Sequence, residues 1–349
     1  MTKWLMVLLA ACAALAAAPA TAQRAPHPLF ADQQIIRLTI RGPLRDLIRR
    51  AEQSEDAADA TLTLDGARPE THAIRLSPRG ISRRRRDVCP FPPLRIEFRE
   101  RPAATSFFTG QRRLKLVTHC RPQDAFSNYT LLEYAGYRML NAITPVSLRV
   151  RLARIDYVDE GSRAPIASRL GFLIEDTDDA ARRNGLSEIE LRERIPVARL
   201  DPRAAARTAV FNYMVGNLDW AMNAGPAGDT CCHNTKLFGA SATASGLVPV
   251  PYDFDYSGLV NAPYAVPPAQ LSVNSVRQRR YRGFCAHNQQ AQAIAAEILG
   301  QRAAILATLN EQPELAAGPR QSAAQWMERF FADIATPADV ERNLLRNCL

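Results

Sequence analysis

Asp219, Asn234 and Asp253 stand in an order that phosphoryl transfer can use. Asp219 lies in Gly216-Asn217-Leu218-Asp219-Trp220, just past an apolar helical stretch. Asn234 opens the short apolar run to Phe238, and Asp253 follows the apolar run Leu247–Val250 in Pro251-Tyr252-Asp253-Phe254-Asp255. Moving a phosphoryl group asks a protein for a carboxylate that orients the attacking hydroxyl and for oxygen ligands to the cation that bridges the phosphates. Asp219 suits the first role. Asp253 and Asp255, two residues apart after a strand, are hard oxygen donors of the kind Mg2+ takes. Each residue alone reads equally well as a turn or cap. The succession of helix, Asp, strand, Asn, strand, Asp favours the chemistry.

Phosphates also need cations. Lysine occurs only at Lys3, Lys115 and Lys236 among 44 basic residues, so a position that keeps lysine is informative. Lys115 sits between Leu114 and Leu116 in a strand, and Glu133 lies in the following helix. Together they read as a strand lysine held by a helix glutamate to grip the phosphates of a nucleotide. Arg79-Gly80-Ile81-Ser82-Arg83, with Arg84 to Arg86 continuing the charge, reads as a turn whose backbone N–H groups, Ser82 and Arg79 lie over phosphates. The same run reads equally as a solvated basic loop. No G-x-G-x-x-G or Walker motif is present.

These groups must be carried by elements. Alternation predicts a strand over Ile35–Ile40, and Pro43–Arg50 reads as a short helix. Further strands are expected over Ala60–Leu64, Ala73–Leu76, Leu94–Phe98 and Arg113–Val117, then a helix over Asn128–Ala142 and strands over Val146–Ile155 and Gly171–Ile174. After Glu175-Asp176-Thr177-Asp178 the pattern turns helical. A short helix is expected over Leu186–Glu193. A second starts at Asp201-Pro202, an N-cap followed by proline, and ends near Val215. Asn234–Phe238 and Leu247–Val250 read as two strands. Long helical patterns follow over Asn288–Asn310, Arg320–Ile334 and Pro337–Leu345. The reading divides the chain into residues 1–22, a strand-rich nucleotide-binding lobe over 23–177 and a helical catalytic lobe over 178–349.

The 349 residues carry a net charge of +9, which favours anionic ligands without naming one. Residues 1–22 read as a secretory signal: Lys3, an apolar stretch, Pro19, and cleavage near Ala22. A lipoprotein anchor at Cys12 is the weaker alternative, and a transmembrane anchor is not expected. The chain is therefore expected to be periplasmic or secreted, and nucleic acid is not an expected partner. Without Cys12 an even six cysteines remain, expected to form disulfides, with Cys89 bonded to Cys120 and the other four paired among themselves. A zinc site at Cys231-Cys232-His233 is disfavoured, since adjacent cysteines suit a tetrahedral chelate poorly.

Gly216-Asn217-x-Asp219, His233-Asn234 before a strand, and Pro251-Tyr252-Asp253-Phe254-Asp255 resemble the spore-coat CotH kinase family and, more distantly, HipA-like and other atypical protein kinases. Phe172-Leu173-Ile174-Glu175 resembles the segment at which such enzymes change lobes, which puts Glu175 beside the nucleotide. The resemblance implies an α+β, two-lobed protein-kinase-like fold, with a strand-rich N-lobe holding one main helix and a mostly helical C-lobe. It implies Asp219 as catalytic base, Asn234 and Asp253 as magnesium ligands with Asp255 beside them, and Lys115 with Glu133 as the nucleotide-gripping pair. Asn223 is the alternative to Asn234. The expected cofactors are ATP and Mg2+ (or Mn2+), and the acceptor is a hydroxyl group, a protein being favoured. A catalytically inactive binding module is the competing reading. A metal-dependent hydrolase using Asp253 and Asp255 is a third, disfavoured for want of a histidine ligand set.

Overall fold

Strand β1 (Ile36–Gly42) buries Ile36, Leu38 and Ile40 and turns Arg37 and Arg41 to solvent, the period of two that a half-buried strand requires. The computed structural model describes residues 27–226 and 230–349. After β1 come a short helix α1 (Leu44–Arg50), then β2 (Ala58–Asp65), β3 (Glu70–Pro78), β4 (Leu94–Phe98) and β5 (Arg113–Val117). Helix α2 (Ser127–Ile143) leads to β6 (Val150–Asp159) and β7 (Ala167–Ile174). These seven strands close into a barrel in the order β1-β2-β3-β4-β5-β7-β6. All neighbours are antiparallel except at the closure, where β6 runs parallel to β1 from Ala153 opposite Ile36 to Asp159 opposite Gly42. Leu38, Leu62, Ile74, Ile96, Leu116 and Leu173 fill the interior.

The remaining elements are α3 (Thr177–Arg183), β8 (Ser187–Ile189), α4 (Pro202–Val215), β9 (Thr235–Gly239), β10 (Val248–Pro251), α5 (Asn288–Gly300), α6 (Arg302–Asn310), α7 (Ala317–Asp333) and α8 (Pro337–Asn343). Strands β8, β9 and β10 form a separate three-stranded sheet. A second apolar core gathers these elements and also takes in α2 and the outward face of β7 through Phe172 and Ile174. The outer wall of the barrel is thus one wall of the other core. Polar residues of β4 and β5 that face outward end up between the two.

This architecture overturns the expected two-lobed kinase-like fold. The closed barrel comes from β6, which starts and ends four residues later than its sequence pattern suggests, and from β7, which starts four residues earlier. The shift of β6 and the extra length of β7 let β6 pair with β7 from Val150 opposite Ile174 to Tyr157 opposite Ala167, and with β1 on its other edge. Once both edges of β6 are bonded, no sheet edge is left to make an open lobe. Two helix expectations also fail. Leu186–Glu193 holds β8 rather than a helix, and the expected helix over Asn288–Asn310 breaks between Gly300 and Arg302 into α5 and α6. Helix α3 has a cap, the Asp176 carboxylate accepting from the Asp178 N–H, in a stretch expected only as a boundary.

Cys89 is bonded to Cys120, as expected, and the other four cysteines pair as Cys231–Cys232 and Cys285–Cys348. The expected signal segment, with Lys3, Cys12 and the cleavage site near Ala22, lies outside the described residues. Among the described residues no helix is long and apolar enough to cross a membrane.

Candidate functional site

Helix α4 delivers Asp219. Its start is fixed by Asp201, whose carboxylate accepts from the Ala204 N–H at 2.7 Å, with Pro202 at the first helical position. Its end is fixed by Gly216 in the left-handed region at φ +69°, which returns backbone N–H groups to the last turn. The next turn is closed by the Asn217 side chain, which accepts the Asp219 N–H at 3.0 Å. Arg282 clamps it from outside by donating to the Leu218 and Trp220 carbonyls at 2.7 and 2.6 Å. The Asp219 carboxylate is therefore held on a backbone that cannot drift.

Both oxygens of Asp219 are engaged by the segment leading into β9. His233 Nε2 lies 2.7 Å from Oδ1, and Asn234 Nδ2 donates to Oδ2 at 3.1 Å and to the Asp219 carbonyl at 2.7 Å. The hydrogen bond to Asp219 raises the His233 pKa above the usual histidine value. Asn234 and Asp253 are both in the left-handed region, at φ +47° and +64°. Asp253, a non-glycine residue that pays strain there, is held by the Tyr137 hydroxyl of α2, which accepts its N–H at 2.9 Å. Phe254 locks the turn by packing on Tyr137 and Phe211 with ring centroids 4.6 and 5.3 Å away.

These residues face a cleft of about 580 Å³, a volume in the range of small-molecule sites. Asp219, His233, Asn234, Tyr252 and Asp253 line one side. The other side is the outer wall of the barrel, where Arg79, Arg95 and Lys115 line the cleft with Gly80 and Ser82. Arg95 and Lys115 are directly opposed across β4 and β5. Like charges in that register repel, and none of these three cations is paired with a carboxylate among the described residues. Lys115 faces the Tyr252 ring at 4.8 Å, and Arg79 Nε is buried without a hydrogen-bond partner. Burial, then the Arg79 charge, pushes Lys115 down to about 7. Burial, then the Arg83 charge, also lowers Arg79. Nearby Lys236 and Arg113 differ, being paired with Glu188 at 2.7 Å and with Asp176 at 2.6 Å. An anion in the cleft would relieve the three unpaired cations.

The structure thus brings together Asp219, Lys115, Arg79, Ser82, Asn234 and Asp253. Glu133 and Asp255 are buried behind the cleft and do not line it. Glu175 is buried and bonded to Arg183 at 2.8 Å and to the Arg149 N–H at 3.0 Å, which ties the end of β7 to α3 and to the residue before β6. Asn223 is buried against Ile195, bonded through its backbone carbonyl, and does not reach the cleft. Lys115 and Glu133 do not pair. The partner of Glu133 is Arg83, whose Nη1 donates to Glu133 Oε2 at 3.1 Å.

The carboxylates of Glu133, Asp253 and Asp255 converge within 4.8 Å of one another, the one acidic cluster of metal-binding geometry among the described residues. A divalent cation does not fit among them, because Arg83 is already there. Its Nη2 donates to Asp253 Oδ1 at 2.5 Å, and its Nε lies 3.3 Å from Asp255 Oδ2. Burial would lower the Arg83 pKa, but Asp255, Glu133 and Asp253 outweigh it and hold it well above the usual value. Burial pushes Glu133 and Asp255 up. On the cleft side, the partly exposed Asp253 and the Asn234 side-chain oxygen remain suitable donors for an oxygen-loving cation.

The sequence reading missed three contributors. His233, weighed in the sequence only as part of a disfavoured zinc site, directly precedes Asn234 and bonds Asp219. Arg95 shows the same signal as Lys115, a cation between two buried strand residues. Arg83 left no signal beyond a run of arginines. No protein-family model matches the chain, and no curated protein matches it, so the site is read from its own geometry.

Proposed function

We propose that the chain is a phosphotransferase that moves the γ-phosphoryl group of ATP to a hydroxyl acceptor, a protein being favoured, outside the cytoplasm. One observation carries the reading. A carboxylate–histidine pair, Asp219 with His233, faces the same cleft as the unpaired cations Arg79, Arg95 and Lys115. The motif order, which resembles that of CotH-like kinases, supports it, and three disulfides are compatible with an oxidising compartment.

In this reading the phosphates lie on Arg79, Arg95 and Lys115, which bind charge and orient the nucleotide. Asp219 accepts the hydrogen bond of the acceptor hydroxyl and points its oxygen at the γ-phosphorus. The new phosphorus–oxygen bond forms as the bond to the β-phosphate bridging oxygen breaks, and the leaving group is ADP. The hydroxyl proton passes to the Asp219–His233 pair. Asn234 keeps the carboxylate from rotating away. Mg2+ or Mn2+, held by Asp253 and Asn234, would supply neutralisation of phosphate charge. Asp255 has no part in the cleft.

Transfer from radiolabelled ATP to protein or to a generic hydroxyl acceptor tests the proposal. Asp219→Asn is expected to lower the rate by about 10²–10⁴-fold, with Asp253→Asn lowering it comparably. Transfer that survives both substitutions unchanged would overturn it. A second reading, a nucleotide-binding module without turnover, is favoured by one observation: Glu133 is bound to Arg83, leaving Lys115 without a carboxylate partner. A thermal shift with ATP and Mg2+ but no transfer by the wild-type protein would decide for that reading.

A further inference from the structure

We infer that Arg83 is a built-in counter-cation: it takes the place of a divalent ion among Glu133, Asp253 and Asp255 and positions Asp253 for the cleft, so this cluster is closed to exchangeable metal.

Three observations carry this. The guanidinium meets all three carboxylates at once, at 3.1, 2.5 and 3.3 Å, with one nitrogen for each. Three nitrogens in one plane can each face a different carboxylate, which the single ammonium nitrogen of a lysine cannot do. Burial is complete on the inner side: the side chains of Arg83, Glu133 and Asp255 are 8%, 2% and 4% exposed. Only Asp253, at 31%, reaches the cleft. The three carboxylates also come from distant parts of the chain, Glu133 from α2 and Asp253 and Asp255 from the turn after β10. Arg83 comes from the loop between β3 and β4. Removing the cation would leave three acids facing one another with little water, an arrangement that persists only if another cation enters or the acids take up protons.

Arg83 is therefore a positioning residue. It holds one oxygen of Asp253, so the carboxylate presents its other oxygen to the cleft in a fixed direction. It also ties the loop bearing Arg79 and Ser82 to the turn bearing Asp253, so the two sides of the cleft are set relative to each other by one side chain. Only the assignment of Asp253 to the cleft is shared with the phosphotransferase reading. The Mn2+ titration below needs neither nucleotide nor turnover, so the two fail separately.

Mn2+ binding to the full-length protein, followed by electron paramagnetic resonance, tests the idea. In the wild type, Asp255→Asn is expected to leave Mn2+ affinity within about twofold, because Asp255 serves Arg83 rather than a metal. Arg83→Met is expected to gain a Mn2+ site at least on the order of tenfold tighter than any wild-type site. Its melting temperature should fall in chelator and recover on adding Mn2+, whereas Arg83→Lys should show neither the new site nor the metal dependence. A wild-type Mn2+ site lost in Asp255→Asn would overturn the inference. So would a folded Arg83→Met protein that gains no Mn2+ affinity. If Arg83→Met folds only with Mn2+ present, the vacated cage is taking a metal and the inference stands. If it folds under neither condition, the Asp255→Asn titration decides alone.

Discussion

Lys115 shows how a single side chain records what the cleft is built to hold. Its ammonium lies over the Tyr252 ring and near Arg79, and burial with the Arg79 charge brings it to about 7. Unfolded, the same group titrates near 10.5. Between those values the unfolded chain binds more protons than the folded one, so this lysine makes stability rise with pH across that interval. Below about 7 both states are protonated and the slope vanishes. A phosphate placed beside Lys115 favours the charged form and reverses the shift. Binding of ATP at pH 8 is therefore expected to take up protons, approaching about one per site. Calorimetry in buffers of different ionisation enthalpy reads that uptake directly. Lys115→Met should abolish the uptake and remove this lysine's part of the pH slope of stability, and uptake that persists in the variant would move the anion away from Lys115.

Helix α4 and the turn after it set the position of Asp219, and their weakest point is Gly216. The left-handed conformation there suits glycine, and a β-carbon would come within 2.5 Å of the Trp326 ring. Trp326 cannot retreat, since its indole N–H donates to the Met214 carbonyl at 3.1 Å and Arg279 stacks on its ring at 3.7 Å. Gly216→Ala is expected to cost about 2 kcal/mol or more from the backbone alone plus the displaced ring. Thermal denaturation measures the loss, and transfer activity should drop further than stability explains because Asp219 moves with the turn. The capping signals that define α4 are local, and Asp201-Pro202 and Gly216 were legible in the sequence for that reason. The strands β4 and β5 were legible too, to the residue, because Leu94–Phe98 and Arg113–Val117 alternate between sharp breaks. What could not be read is long-range. The parallel bonding of β6 to β1 joins residues more than a hundred positions apart and leaves no mark in either strand. Nor does Arg83 differ in sequence from Arg84, Arg85 or Arg86. Only the convergence of α2 with the turn after β10 selects it. The split between α5 and α6 failed for a milder reason, that Gly300 interrupts a pattern whose apolar spacing continues.

At the scale of the whole molecule, the barrel and the second core share a wall, and the cleft lies against its polar patch. The three disulfides relate to this arrangement in different ways, and their removal separates stability from site geometry. Cys285–Cys348 spans a sequence separation of 63 and ties the C-terminus, where Leu349 and Gly283 also bond through their backbones, over α5 to α8. Cys89–Cys120 spans 31 and pins the start of β4 to the end of β5. Cys231–Cys232 joins neighbours and closes no loop, yet His233 follows it at once. In the chain-entropy account the first two each contribute about 4 kcal/mol, the longer loop exceeding the shorter by about 0.6 kcal/mol, and the third contributes almost none. Paired Cys→Ser variants should therefore lose stability in the order Cys285–Cys348, then Cys89–Cys120, then Cys231–Cys232. The effect on the site should run the other way, because neither Cys285 nor Cys348 lines the cleft while His233 holds Asp219. Denaturant unfolding gives the first order, and the His233 titration followed by nuclear magnetic resonance gives the second. The bond to Asp219 raises the histidine pKa, so its loss appears as a fall toward the ordinary value. A Cys231→Ser/Cys232→Ser protein with an unmoved His233 titration would show that the turn into β9 is held by its hydrogen bonds, to Ala221 and Ala224 among others, without the disulfide.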